Sequence, residues 1–104
     1  MIDVAPKHLE IILGILSTYL PGCEVRAFGS RCNGAAKCSS DLDLALVERE
    51  KLDWRLLEEL REAFQESELP FRVDLLDWNA ISDEFRTVIE KSGYEVISGI
   101  VKSL

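Results

Sequence analysis

Phe28-Gly29-Ser30-Arg31-Cys32-Asn33-Gly34-Ala35-Ala36-Lys37-Cys38-Ser39-Ser40-Asp41-Leu42-Asp43-Leu44-Ala45-Leu46 is the stretch on which the reading of this chain turns. Small and polar residues fill its middle, which reads as a loop or a short irregular helix. Leu42, Leu44 and Leu46 then alternate with Asp41 and Asp43, which reads as a strand with one buried face. In that strand the two aspartates share the other face, about 7 Å apart along the backbone. Two like-facing carboxylates repel and resist joint ionisation. A hard divalent cation such as Mg²⁺ removes the conflict, because it prefers oxygen ligands. The other end of the stretch has the opposite chemistry. Gly29 lets the backbone approach a bulky anion, and the Ser30 hydroxyl with the amides after it are natural phosphate donors. A phosphate cradle followed by a carboxylate pair points to a metal–nucleotide site.

A second acidic strand strengthens the reading. In Phe71-Arg72-Val73-Asp74-Leu75-Leu76-Asp77, Asp74 falls on the face opposite Phe71, Val73 and Leu75. It is placed to complete a three-carboxylate cluster with Asp41 and Asp43. Asp77 reads as a strand-end turn residue.

With these residues in place, the chain resembles the DNA-polymerase-β-type nucleotidyltransferase superfamily. Gly29-Ser30, Asp41-x-Asp43 beginning twelve residues after the glycine, and a lone strand aspartate at 74 carry the resemblance. Within the superfamily it resembles the minimal nucleotidyltransferases, the small MNT proteins paired with HEPN-domain proteins. The likeness runs over nearly the whole chain. Cys32, Asn33 and Cys38 depart from the Ala, Arg and Pro common at those loop positions in relatives, which bears on loop contacts to substrate and leaves the acids intact.

The resemblance implies the nucleotidyltransferase fold, an α/β arrangement of a small mixed sheet with helices packed on it. It implies transfer of a nucleotide from a nucleoside triphosphate, with ATP the family expectation, to a hydroxyl. Asp41 and Asp43 would hold two Mg²⁺ ions, and Asp74 would hold the catalytic one and help deprotonate the acceptor. Gly29 and Ser30 would grip the β- and γ-phosphates, with Arg31 and Lys37 as supplementary charges. It further implies a HEPN-type toxin as partner, a tyrosine of that partner as acceptor, and a role as antitoxin. Two other readings stay open: a module that masks a partner without chemistry, and transfer to a small molecule as in the antibiotic nucleotidyltransferases, whose acceptor domain is not expected here.

Composition sets the frame. The chain has 104 residues, 47% hydrophobic and 30% charged, the profile of one globular domain spanning 1–104. A net charge of -7 argues against direct nucleic-acid binding, which leaves a basic footprint. The odd cysteine count, at 23, 32 and 38, suggests reduced thiols in a cytoplasmic protein. Zinc at Cys32 and Cys38 lacks further ligands, since His8 is the only histidine. No apolar run is long enough to span a bilayer.

The remaining elements follow from periodicity. After Pro6, Leu9, Ile12, Leu13, Leu16 and Leu20 line one helix face, with Ile11, Ile15 and Tyr19 beside it as core or as a contact for an oligomer or partner. Pro21-Gly22 ends that helix, and Glu24 to Phe28 is a short strand. Asp53 caps a second helix, with Trp54, Leu57, Leu60 and Phe64 as its apolar stripe. Ser82 caps a third, with Phe85, Val88 and Ile89 inward and Gly93 as its stop. Residues 94–101 read either as an edge strand or as a segment packed on the sheet.

Overall fold

The computed structural model describes residues 4–29 and 41–98. Ser30, Arg31, Cys32, Asn33, Lys37 and Cys38, and the end of the C-terminal segment, lie outside the described residues. Three helices and four strands occur among those that are described. They follow in the order α1 (Pro6–Tyr19), β1 (Glu24–Phe28), β2 (Leu42–Val47), α2 (Trp54–Gln65), β3 (Val73–Asp77), α3 (Asp83–Ser92) and β4 (Glu95–Ser98). The strands form one mixed sheet in the order β3-β2-β1-β4, parallel between β2 and β3 and antiparallel elsewhere. This is the small mixed sheet with packed helices that the sequence implies. The segment after Tyr94 resolves as an edge strand on β1.

One face of the sheet makes the core. Val25 and Ala27 of β1, Leu42, Leu44 and Leu46 of β2, and Leu75 of β3 cluster with Ile12, Leu16 and Leu20 from α1 and its C-cap, and with Leu60 and Phe64 of α2. Strand parity sends these sheet residues to one side, and the helices supply the matching 3.6-residue stripes. Pro6 starts α1, where its missing N–H costs nothing. Of the second stripe on α1, Ile15 and Tyr19 are partly buried against the core. The large apolar side chains most open to solvent among the described residues lie elsewhere: Trp54, Phe85 and Val88.

These three depart from the helical stripes expected of them. Trp54 is 68% exposed, at the first position after the Asp53 cap, with the Arg55 guanidinium over its ring. In α3 only Ile89 is fully buried, while Phe85 and Val88 are 38% and 55% exposed. Arg86, which the sequence reading does not assign to the inner face, is less exposed than Phe85 or Val88. Its Nε–H donates to the Trp78 carbonyl and its guanidinium lies near the Trp78 ring. The long aliphatic stem of an arginine covers sheet surface as an apolar residue would.

Helix α3 lies over the second face of the sheet, where Phe85 meets Phe28 edge-on with centroids 6.3 Å apart. Arg26, on the same side of β1 as Phe28, sits between the rings of Trp78 and Tyr94, at 4.8 and 4.5 Å from their centroids. This cation–π sandwich ties β1 to the segments on either side of α3. Ala45 of β2 is buried although its parity opposes that of Leu44 and Leu46, so both faces of the central strand are covered at that level.

Asp77 closes the other end of β3. It is 6% exposed, and its carboxylate accepts the N–H of Leu52 at 2.7 Å and of Asn79 at 3.0 Å. The Asn79 amide in turn donates to the Glu48 carbonyl at 2.7 Å. The turn role read from sequence thus extends to anchoring the connection between β2 and α2. Asp77→Ala leaves two backbone donors without their partner, so we expect a loss of about 1–3 kcal/mol in urea unfolding. Mg²⁺–ATP affinity, measured by calorimetry, should stay within twofold or so, because Asp77 faces away from the site described next.

Candidate active site

The register of the sheet brings the acids together. Phe28 pairs with Asp43 across β1 and β2, and Asp43 pairs with Asp74 across β2 and β3. In-register residues on adjacent strands share a face, with backbones about 4.8 Å apart. Asp43 and Asp74 therefore stand side by side on the face opposite the core. Asp41 precedes β2 by one residue, half-buried, close enough for its charge to act on Asp43.

Gly29 completes the corner. It has φ +82°, a conformation L side chains rarely adopt, and a Cβ built there would clash with an Asp43 carboxylate oxygen. The position needs glycine twice over, for its backbone angle and for the space beside Asp43. Of the phosphate-gripping residues read from sequence, Gly29 is thus placed against the carboxylates. Ser30, Arg31 and Lys37 lie outside the described residues.

Electrostatics at Asp43 match a site awaiting positive charge. Its carboxyl is raised above the ordinary aspartate range, first by burial and then by the negative charges of Asp74 and Asp41. Arg72 lies near Asp74, 3.5 Å between guanidinium and carboxylate, with both groups largely open to solvent. A pair so exposed contributes little. Among the described residues no three acidic, histidine or cysteine side chains converge into a closed metal cage. What the donor set offers is a chemistry: hard oxygen donors, mutually repelling, on one face of a rigid sheet. That fits a divalent cation.

A cleft of about 830 Å³ opens at this corner. Phe28, Asp43 and Phe85 form one wall, and Arg61, Phe64, Gln65 and Leu69 the other. Between them every residue from Phe71 to Leu76 reaches the cleft. Sequence reading missed Phe28, Phe85 and the Arg61–Leu69 wall. Only the exposed Phe85 carried a signal, as an aromatic in the first turn of a helix that follows an acidic strand.

Residues 15–99 match the sequence profile of the family described as "Polymerase beta, Nucleotidyltransferase". The chain belongs to that family. It is 49% identical over 90 residues to the "Probable protein adenylyltransferase MntA" of Haemophilus influenzae, covering 86% of this chain and 79% of that protein. It groups with these minimal nucleotidyltransferases. The fold is likewise that of solved relatives. A toxin–antitoxin crystal structure with AMP-PNP superposes with a TM-score of 0.64 at 23% identity, over 91% of this chain and 76% of that one. The tri-AMPylated HEPN toxin of Shewanella oneidensis in complex with its MNT antitoxin gives 0.57 at 23% identity, over 93% and 74%. No helix among the described residues is long and apolar enough to cross a membrane.

Two predictions follow from the geometry at Gly29 and Asp43. A carboxyl whose folded-state pKa is raised prefers to be protonated in the native protein. Stability therefore falls as pH rises from the ordinary aspartate range through the raised value, and stays lowered above it. Without metal, Asp43→Asn should raise the melting temperature at neutral pH. The gain should vanish at a pH below the ordinary aspartate range, where both residues are neutral; differential scanning calorimetry across pH reads both. Gly29→Ala should destabilise by about 1–3 kcal/mol in urea from the backbone angle alone, with the clash at Asp43 in addition.

Proposed function

We propose that this minimal nucleotidyltransferase transfers AMP from ATP to a hydroxyl of a partner protein, a tyrosine of a HEPN-type toxin, and so acts as its antitoxin. The observation that carries the reading is the in-register pair Asp43 and Asp74 beside the glycine corner at Gly29, open to a cleft large enough for a nucleotide and a protein side chain. The 49% identity to a protein named as an adenylyltransferase supports AMP as the transferred group. A neighbouring fold seen with an AMPylated HEPN toxin supports the partner class.

Asp41 and Asp43 would hold two Mg²⁺ ions, with Asp74 as the third ligand. Such ions, when bound, neutralise phosphate charge and favour the ionised acceptor. Gly29 leaves the β- and γ-phosphates a close approach to the backbone, and Ser30, Arg31 and Lys37 would supply donors and charge to them. Asp74 accepts the proton of the acceptor. The tyrosine oxygen attacks the α-phosphorus, a new O–P bond forms, the bond to the bridging oxygen breaks, and pyrophosphate leaves with that electron pair. Asp43 is held rigidly by its strand pairing on both sides, which keeps the reacting groups aligned.

Incubation with a HEPN-type partner, ATP and Mg²⁺ should add about 329 Da per modified tyrosine, the mass of an AMP group delivered by two-metal transfer. Intact-mass spectrometry reads it directly. Asp43→Asn should lose transfer by several orders of magnitude, on the scale of the several kcal/mol that metal catalysis supplies, while remaining folded. A partner that is bound and inhibited yet unmodified would instead make the chain a masking module. Modification confined to a small molecule would make it an antibiotic-type enzyme.

A further inference from the structure

We propose that Phe85 is the platform on which the base of the substrate nucleotide stacks, so that this residue sets which bases the site accepts. This rests on the reading above that the carboxylate corner transfers AMP from Mg²⁺–ATP.

Three observations carry it. First, the exposure of Phe85 is directed. Its ring meets that of Phe28 edge-on, with the planes at 85°. Phe85 nevertheless remains 38% exposed, and it lines the cleft together with Phe28 and Asp43. Val88, three residues on and more exposed, does not line it. A T-shaped pair uses one ring face and one ring edge, so flat aromatic surface is left for a third ring.

Second, the platform adjoins the metal corner. Phe28 is the register partner of Asp43, so its side chain stands on the carboxylate face about 5 Å from that of Asp43. Gly29 follows it directly. A nucleotide with its phosphates at Gly29 and Asp43 reaches the two rings across its ribose.

Third, the chemistry divides the cleft. In-line displacement sets the attacking and leaving oxygens on opposite sides of the α-phosphorus. The reading above puts the leaving phosphates at Gly29, after β1, and the acceptor's proton at Asp74, on β3. The acceptor therefore enters from the β3 side of Asp43. The nucleoside is left the opposite wall, which Phe28 and Phe85 form. These two rings offer a base their faces and no hydrogen bond. Stacking reads ring area rather than the pattern of donors and acceptors on a base edge. Purine nucleotides therefore bind this wall more tightly than pyrimidine nucleotides.

The test uses the full chain with Mg²⁺, and calorimetry with ATP, CTP and inorganic tripolyphosphate. ATP should bind about tenfold more tightly than tripolyphosphate, the order that one base–aromatic stack supplies, with CTP between them. Phe85→Leu keeps an apolar side chain against Phe28 and removes the flat face. It should weaken ATP about tenfold and leave tripolyphosphate unchanged. Phe85→Trp should restore ATP binding, and Val88→Ala, on the same helix outside the cleft, should change nothing. With the HEPN-type partner present, Phe85→Leu should raise KM for ATP and leave KM for the partner as it was. Equal ATP affinity in Phe85→Leu and wild type, or a matching loss of tripolyphosphate binding, overturns the platform. So does a rise in KM for the partner alone, which would seat the acceptor ring on Phe85 instead. AMP transfer with an unchanged KM for ATP in Phe85→Leu overturns the platform and leaves the transfer reading standing. Loss of ATP affinity in Phe85→Leu, with a partner that wild type never modifies, supports the platform and removes the transfer reading.

Discussion

A carboxylate oxygen of Asp43 occupies the space in which a side chain on Gly29 would begin, and much of the molecule is arranged to hold those two groups against each other. Gly29 follows β1 directly, and Asp43 is the β2 residue paired with the last residue of β1. Their contact is therefore set by the β1–β2 register. That register is set in turn by the leucines of β2, since a slip of one residue would turn Leu42, Leu44 and Leu46 out of the core. The hydrophobic effect at three leucines thus fixes the position of a charged group on the opposite face.

The cost of the arrangement falls on Asp43. Half-buried and flanked by Asp41 and Asp74, it is harder to ionise than an ordinary aspartate. A native state that holds this carboxylate charged forgoes stability at neutral pH, a pattern that recurs at functional sites. Asp77, on the same strand as Asp74, carries the contrast. Its parity points it into the fold, where backbone amides satisfy it. Two aspartates three residues apart on one strand therefore divide between site and scaffold.

Much of this was legible from sequence, and the gaps have physical causes. Strand parity placed Asp41, Asp43 and Asp74 and the β2 leucines, because a period of two admits few alternatives. The caps at Asp53 and Ser82 and the stop at Gly93 follow from local chemistry and stand as read. Helical spacing of apolar residues points Trp54, Phe85 and Val88 inward, yet all three are exposed. Which side of a helix meets a sheet depends on crossing geometry, and there Arg86 took the inner position by reaching the Trp78 carbonyl. The Gly29–Asp43 contact joins residues far apart in sequence and needs the register. The cleft along Phe71 to Leu76 needs the strand order and the placement of two helices, which no local pattern encodes.

The two tryptophans differ in what surrounds them. Trp54 stands in solvent at the start of α2, whereas Trp78 lies under the guanidinium of Arg26 with that of Arg86 close by. Emission from this chain is therefore a sum of an exposed indole with one guanidinium, that of Arg55, over it and an indole inside a charged stack between strands and helix. The stack joins β1 to the turn after β3 and to Tyr94 at the foot of β4. Loosening of α3 from the sheet changes the surroundings of Trp78 and leaves those of Trp54 as they were. A Trp54→Phe background would make the native chain its own optical gauge of how firmly the carboxylate face is clamped.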